Sequence, residues 1–237
     1  MDSSGMQLKG LHTIHLALRD VQALIDRGPK QTLAKKQLIQ KRQADHEAAR
    51  DRLKQARLLA DQKNLQLKTQ EARIAEYRAK QNTAASNREY DIIKGQIAAD
   101  EMSKSVLEDE IFETLEQIDK CQLEIAEREK EVAAAQVELV RYEAEYAAEK
   151  PGLEAKKAAL VQQLASAESC LPANIIPDYR RQIQAHGADA LAPVENRSCS
   201  ACYLQLTQQL FMELRAGKPM FCRSCGRLIY LDAEADE

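Results

Sequence analysis

A seven-residue repeat of apolar side chains between residues 90 and 167 constrains the fold of this chain more than any other feature. One lysine is the single polar residue at the repeated position, which is occupied by Tyr90, Ile97, Lys104, Ile111, Ile118, Ile125, Val132, Leu139, Tyr146, Leu153, Leu160 and Ala167. A repeat of this length predicts a coiled-coil helix. The position three residues later is mixed, since Asp100 and Arg128 interrupt its apolar and small residues. We therefore expect a narrow seam in which Cys121 and Cys170 are small buried residues.

The N-terminal part of the chain carries the same pattern less regularly. Apolar residues recur at spacings of three and four at Leu11, Ile14, Leu18, Val21 and Ile25, and again at Leu53, Ala56, Ala60, Leu67, Ile74 and Tyr77. The segment 81–87 is rich in polar turn-forming residues. Ser86 or Asn87 is expected to cap a second helix that has Glu89 or Tyr90 in its first turn. The pattern predicts a long antiparallel coiled-coil hairpin over residues 1–170, with its turn near 81–88.

Composition and charge support a mainly α fold. The 237 residues include no Trp, and 30% are charged while only 4% are aromatic. Such a chain buries a seam rather than a wide core, so a deep substrate pocket is not expected. Basic residues outnumber acidic ones by about two to one over 1–80, and the reverse holds over 81–170. This complementarity favours antiparallel pairing, and we interpret the basic stretch at 30–80 as neutralising the acidic helix rather than as a nucleic-acid track.

Two pairs of helix-breaking residues lie at similar distances from the predicted turn. Gly28-Pro29 precedes the turn, and Pro151-Gly152 follows it. A proline removes one backbone hydrogen bond and crowds the preceding helical turn, so we expect both helices to bend or break there. The hairpin is thus predicted to be kinked near 28–29 and 151–152.

The heptad pattern stops after Leu171-Pro172. Residues 171–190 are expected to form a linker and a short helix that ends at His186-Gly187. Residues 191–237 contain the features of a small domain: a strand from Leu191 to Asn196, a helix capped by Thr207 and stopped by Gly217, and a closing strand within Phe221 to Leu231.

Four cysteines in this last segment form two C-x-x-C pairs, Cys199/Cys202 and Cys222/Cys225. Each pair can direct two thiolates at one ion, so the spacing predicts a four-thiolate site for one structural Zn²⁺ ion. Gly226 follows the second pair, where a residue without a Cβ lets the turn close tightly. The alternatives are two local disulfides or a redox C-x-x-C motif, which would need only one pair.

Basic residues around the cysteines are candidate contacts for nucleic acid or a protein partner. They are Arg197, Arg215, Lys218, Arg223 and Arg227. Arginine and lysine beside aromatic residues suit phosphates and stacked bases. The alternative is that Phe211 and Phe221 belong to the core and that the basic residues only solubilise the domain. His12 and His15, which have no third ligand nearby, are expected to be ordinary surface or seam residues.

The segments Pro193–Cys202, Gln205–Leu210 and Phe221–Tyr230 resemble the bacterial C4-type zinc-ribbon family with an N-terminal coiled coil, and Asn87-Arg88-Glu89-Tyr90 is similar to a second motif of that family. Ser200-Ala201 stands where the family often has glycine inside the first C-x-x-C pair. The resemblance implies a zinc ribbon without enzyme activity. Family members are described as nucleic-acid-binding proteins or as adaptors of the transcription and flagellar or secretion machinery, including binders of sigma-54.

Function is accordingly expected to be adaptor-like. No paired carboxylates, nucleophile elbow or glycine-rich phosphate loop occurs, so an enzyme is not expected. Two partner classes stay open: a protein of the transcription or flagellar and secretion machinery, and RNA or DNA bound by the ribbon. A homodimer through the coiled coil is a further alternative. No apolar leader or membrane-spanning stretch is present, which favours a cytoplasmic protein that does not contact the membrane.

Overall fold

The computed structural model describes residues 3–231, and the side chains from residue 5 onward. Residues 1–2 of the predicted hairpin and 232–237 of the predicted ribbon lie outside this range. The chain divides into two compact units. The hairpin unit consists of residues 33–141. The ribbon unit consists of residues 1–32 and 142–237, of which 3–32 and 142–231 are described.

Two long helices dominate the chain, as the heptad repeat predicts. Helix α1 spans Ser3–Asn82 and helix α2 spans Asn87–Glu168. Both helices continue through their prolines, Pro29 and Pro151, so neither helix ends at these residues. A bend at the two sites stays a prediction. The mainly α fold with a small C-terminal ribbon is confirmed.

The turn between the two helices closes as the local sequence predicts. The Ser86 hydroxyl accepts a hydrogen bond from the Glu89 backbone N–H at 3.3 Å. The Glu89 carboxylate in turn accepts from the Ala85 N–H at 3.1 Å. Because the first N–H groups of a helix have no partner within it, this reciprocal pair stabilises the start of α2.

Within the hairpin unit the two helices are antiparallel. Ion pairs join Lys35 to Glu138 at 2.7 Å, Arg52 to Glu124 at 2.9 Å, and Lys63 to Glu110 at 2.9 Å. In these three pairs the residue numbers increase along α1 while they decrease along α2, as in an antiparallel arrangement. Each pair joins a basic residue of α1 to an acidic residue of α2. The pattern agrees with the charge asymmetry of the sequence.

The buried seam of the hairpin unit is narrow and includes polar residues. Its buried side chains are Ile39, Ala49, Ala60, Ile74, Ile97, Asp100, Ile111, Thr114, Ile118, Cys121 and Ala135. The Asp100 carboxylate lies 3.4 Å from the Arg73 guanidinium. Lys104 reaches Glu71 at 3.0 Å. The two charged residues at seam positions, Asp100 and Lys104, therefore each have a partner of opposite charge on α1.

The prediction that both Cys121 and Cys170 are buried in the seam is wrong for one of them. Cys121 is buried, but Cys170 is exposed. Helix α2 ends at Glu168, so Cys170 belongs to the following turn, where the heptad spacing no longer determines which way a side chain points.

The ribbon unit contains a four-stranded sheet and two short helices. The strands are β1 (Leu191–Glu195), β2 (Ser198–Cys199), β3 (Met220–Phe221) and β4 (Leu228–Leu231), in the spatial order β2-β1-β4-β3. Strands β1 and β4 are parallel, and each pairs antiparallel with its short outer neighbour. Helix α3 (Ile176–His186) precedes the sheet, and helix α4 (Gln208–Arg215) lies between β2 and β3.

The first turns of α1 complete the core of the ribbon unit. Leu8 and Leu11 of α1 pack in one buried cluster with Tyr179 of α3 and with Leu191 and Leu228 of the sheet. The two leucines are more than 160 positions away in sequence from the residues they contact. The sheet is therefore covered on this side by helix rather than by solvent.

Two histidines lie where the first turns of α1 pack against α3 and the sheet, and each forms a hydrogen bond with a tyrosine. His12 Nδ1 lies 2.8 Å from the Tyr230 hydroxyl, and His15 Nε2 lies 2.5 Å from the Tyr179 hydroxyl. Tyr179 donates its proton to Glu168 at 2.9 Å, so it accepts from His15. Burial is the main cause that lowers the pKa of each histidine. Both histidines thus contribute to the packing of α1 against the rest of the ribbon unit.

Candidate metal centre

Two turns of similar design carry the four cysteines. In the first, the Tyr203 N–H donates to the Cys199 carbonyl at 2.7 Å. In the second, the Gly226 N–H donates to the Cys222 carbonyl at 2.9 Å. Tyr203 and Gly226 occupy the same place, four residues after the first cysteine of each pair, and both have positive φ, at 61° and 73°. Each turn therefore needs a left-handed residue to close, as expected for Gly226.

The sheet brings the two turns together. Cys199 ends strand β2, and Cys222 directly follows strand β3. The two strands are the outer members of the sheet, joined through β1 and β4. Cys199 and Cys222 are buried with Ala192, Val194, Leu206, Phe211, Leu214 and Ile229 in one apolar cluster. The cluster fixes both turns against a common core.

The four sulfurs have the separations of a tetrahedral zinc site. Cys199 Sγ lies 3.9 Å from Cys225 Sγ, and Cys202 Sγ lies 3.6 Å from Cys222 Sγ. All four ligand atoms lie within 4.8 Å of one another. Sulfurs at about 2.3 Å from a central zinc ion in a tetrahedron are about 3.8 Å apart, so the donor set fits one Zn²⁺ ion.

The alternatives to a zinc site fit the geometry less well. A disulfide holds its sulfurs about 2.0 Å apart, and all six cysteines are free thiols. A redox C-x-x-C motif uses one pair at the start of a helix, whereas here two pairs face each other at the ends of strands. The site holds one structural zinc ion, with four thiolates that leave no position open to water or substrate.

The thiols differ in how readily they lose a proton. Burial raises the pKa of Cys199 to about 12 and also raises that of Cys222. Burial acts the same way on Cys225, but hydrogen bonds, led by that of the Arg227 backbone, outweigh it and lower its pKa to about 7. Zinc binds cysteine as the thiolate. Metal binding therefore displaces the protons of the two buried thiols, Cys199 and Cys222.

The five predicted contact residues fall into two groups. Arg197 and Arg227 make contacts within the ribbon: the Arg197 guanidinium lies over the Phe211 ring at 5.3 Å, and Arg227 Nε donates to the Asp189 carbonyl at 2.7 Å. Phe211 is buried, as the alternative interpretation of the aromatics expected. The other three, Arg215, Lys218 and Arg223, are exposed and have no ion pair within residues 3–231.

Apolar side chains at the ribbon surface were not singled out from the sequence. Tyr203 is 83% exposed, and Leu204 and Met212 are also exposed. The position of Tyr203 in the sequence could have singled it out. It directly follows the zinc ligand Cys202, and the corresponding residue of the second turn is Gly226. Its exposure could not be read from the sequence, because aromatic residues in a small domain usually form its core.

No helix between residues 3 and 231 combines the length and the apolarity needed to span a bilayer.

Comparison with known proteins identifies the ribbon and the overall fold. Residues 198–229, which hold both cysteine pairs and α4, match the family model described as a C4-type zinc ribbon domain. No curated protein sequence matches the chain.

Two solved structures are similar over nearly their whole length. CT398 from Chlamydia trachomatis is 13% identical, with a TM-score of 0.71 over 97% of this chain and 98% of that one. The HP0958 protein from Helicobacter pylori is 14% identical, with a TM-score of 0.72 over 98% of each chain. At these identities the likeness concerns the fold alone. The chain thus carries a C4-type zinc ribbon in a fold similar to that of these two bacterial proteins.

Proposed function

We propose that this protein is a non-enzymatic adaptor whose zinc ribbon binds a protein of the transcription or of the flagellar or secretion machinery. The family resemblance suggests sigma-54 as one such partner. The metal has a structural role in this proposal, since a closed set of four thiolates has no site for substrate. Binding is assigned to the ribbon surface.

Tyr203 is the observation that carries the proposal. Its φ of 61° is a conformation that favours glycine, and the corresponding residue of the second turn is Gly226. Its side chain is 83% exposed, so core packing does not explain the tyrosine either. A large ring held in solvent at a backbone cost of about 1 kcal/mol is well explained by contact with a partner. Tyrosine is enriched in protein interfaces, and Leu204 and Met212 add exposed apolar surface.

A capture experiment with Tyr203→Gly tests the proposal. Glycine suits the positive φ, so this variant should bind zinc and fold at least as stably as the wild type. Tagged protein is incubated with a native extract, half of it treated with nuclease, and captured proteins are identified by mass spectrometry. Each candidate is then purified and titrated directly. We expect one partner to persist through nuclease and to lose affinity at least tenfold with Tyr203→Gly.

Leu65→Gln provides the matched control, because Leu65 is exposed on α1 in the hairpin unit. This variant should bind the partner like the wild type. Equal binding by wild type and Tyr203→Gly would contradict the proposed role of the ribbon surface.

Nucleic-acid binding is the second candidate, favoured by the three exposed cations. Arg215, Lys218 and Arg223 have no acidic partner among residues 3–231, so their charges are available to phosphates. RNA or DNA binding of this kind weakens steeply with salt. If it operates, captured protein should disappear with nuclease, and glutamate at the three positions should abolish binding to labelled single-stranded RNA and DNA.

A further inference from the structure

A second exposed surface lies on the hairpin unit, on the outer side of α2. Its side chains follow helical spacings of three and four and are Asp109, Phe112, Glu116, Asp119, Leu123 and Glu127, which we call the outer face. The seam is formed by other residues of the same turns, Ile111, Thr114, Ile118 and Cys121, all buried. The outer face therefore points away from α1.

The outer face exposes apolar side chains that the hairpin does not use. Phe112 is 66% exposed and Leu123 is 74% exposed, and Leu115 beside them is also exposed. The two lie eleven residues apart, on the same side of the helix and about 16 Å apart at 1.5 Å rise per residue. Exposed apolar anchors at this spacing match those that one helix presents to another.

The carboxylates of the outer face are not the ones that form ion pairs with α1. The acidic residues that neutralise α1 are others, among them Glu110 and Glu124, which pair with Lys63 and Arg52. Asp109, Asp119 and Glu127 have no cationic partner within residues 3–231. Glu116 reaches only Lys120 of its own helix, at 3.7 Å. Apolar anchors thus alternate with carboxylates, three of which have no cationic partner within residues 3–231.

Charge decides what fits this surface. Nucleic acid and anionic membranes would be repelled by the carboxylates, and two outer faces would repel each other. A cationic helix would be attracted, since its lysines or arginines would meet the carboxylates while its apolar stripe covers Phe112 and Leu123. We propose that the outer face binds a basic amphipathic helix of a partner protein, about 18 residues long. This inference rests on the proposed adaptor function and assigns it a second contact surface.

A peptide of defined sequence tests the proposal. The probe is an 18-residue, fluorescently labelled amphipathic peptide with leucines at helical spacings of three and four and lysines elsewhere. A peptide of the same composition with scrambled order is its control. Binding to the full-length zinc-loaded protein is measured by fluorescence anisotropy at low and at physiological salt.

Two double variants separate the outer face from the rest of α2. Phe112→Gln with Leu123→Gln removes the anchors and keeps good helix formers. Val137→Gln with Val140→Gln is the matched control, since these residues are 70% and 66% exposed on the same helix outside the outer face. We expect the first variant to weaken binding of the amphipathic peptide at least tenfold, and the second to change it less than twofold. Asp109→Asn with Asp119→Asn should reduce the salt dependence.

Several outcomes would overturn the proposal. These are no binding by the wild type, equal binding of the scrambled peptide, and wild-type binding by Phe112→Gln with Leu123→Gln. Sedimentation velocity adds another, because a concentration-dependent dimer that this variant abolishes would assign the face to a second copy of the chain. None of these results depends on Tyr203, so failure here and failure of the ribbon proposal are distinguishable.

Discussion

The hydroxyl of Tyr146 donates a hydrogen bond of 2.8 Å to the carbonyl of Ile25. Ile25 lies four residues before Pro29, and its carbonyl is the one that a proline at this position cannot satisfy, because proline has no N–H. The Tyr146 ring also lies against Gly28. One side chain of α2 thus replaces the missing donor and fills the space beside the glycine, which explains how α1 continues through the Gly28-Pro29 pair.

Replacement of Tyr146 by phenylalanine is predicted to destabilise the ribbon unit. The ring and its packing remain, but the Ile25 carbonyl loses its donor. Loss of a hydrogen bond to this part-buried carbonyl costs about 0.5–1.5 kcal/mol, so the free energy of unfolding should fall by that amount in urea titrations followed by circular dichroism. Tyr90→Phe is the control, because Tyr90 is 44% exposed and lies in the hairpin unit. Equal stability of the two variants would show that the hydrogen bond contributes nothing.

Replacement of Gly28 by alanine is predicted to destabilise the protein, although alanine has a higher helix propensity than glycine. A Cβ there would overlap the Tyr146 ring. Gly152 offers a matched comparison, because a Cβ at that position meets no atom within 4 Å. Gly152→Ala should stabilise the helix by up to about 1 kcal/mol, whereas Gly28→Ala should lower the melting temperature. A stabilising Gly28→Ala would mean that the ring moves aside at little cost.

Removal of zinc is predicted to unfold the ribbon and to leave the long helices folded. The sheet and α4 are small, and the buried Cys199 and Cys222 would lose the ion that joins them. Elemental analysis should find one zinc per chain in the wild type and less in Cys222→Ser. Far-ultraviolet circular dichroism should change little, while hydrogen exchange over 191–231 should become fast. A large loss of helix on chelation would contradict this independence.

Acidification is predicted to destabilise the ribbon unit through His15. Burial lowers its pKa in the folded state, so below about pH 6.5 the unfolded chain binds a proton that the folded protein does not. Stability should therefore be full above this pH and should fall as the pH drops toward the folded pKa. Unfolding measured between pH 7.5 and 5.5 with excess zinc should show this slope, and His15→Gln should reduce it. His186→Gln, at an exposed position, should keep the slope, and an unchanged slope in His15→Gln would exclude this histidine.

Local features of the fold were predictable because neighbouring residues produce them. Thr207 caps α4 by accepting from the Leu210 N–H at 3.4 Å, and Ser86 caps α2 in the same way. The heptad repeat predicted Ile97, Ile111 and Ile118 as buried, since its spacing alone places them on one side of a helix. The prediction failed for Cys170, where the repeat continued past the end of the helix.

The sequence by itself determined the two long helices, their turn and the four cysteines of the zinc site, because helical periodicity, capping and C-x-x-C turns act over a few residues. Only the tertiary structure decided that Leu8 and Leu11 complete the core of the ribbon unit, that Tyr146 serves the Ile25 carbonyl, and that Tyr203 is exposed. These contacts join residues more than a hundred positions apart, or depend on which side of a turn faces solvent. No local pattern encodes either, since they arise only when distant segments pack.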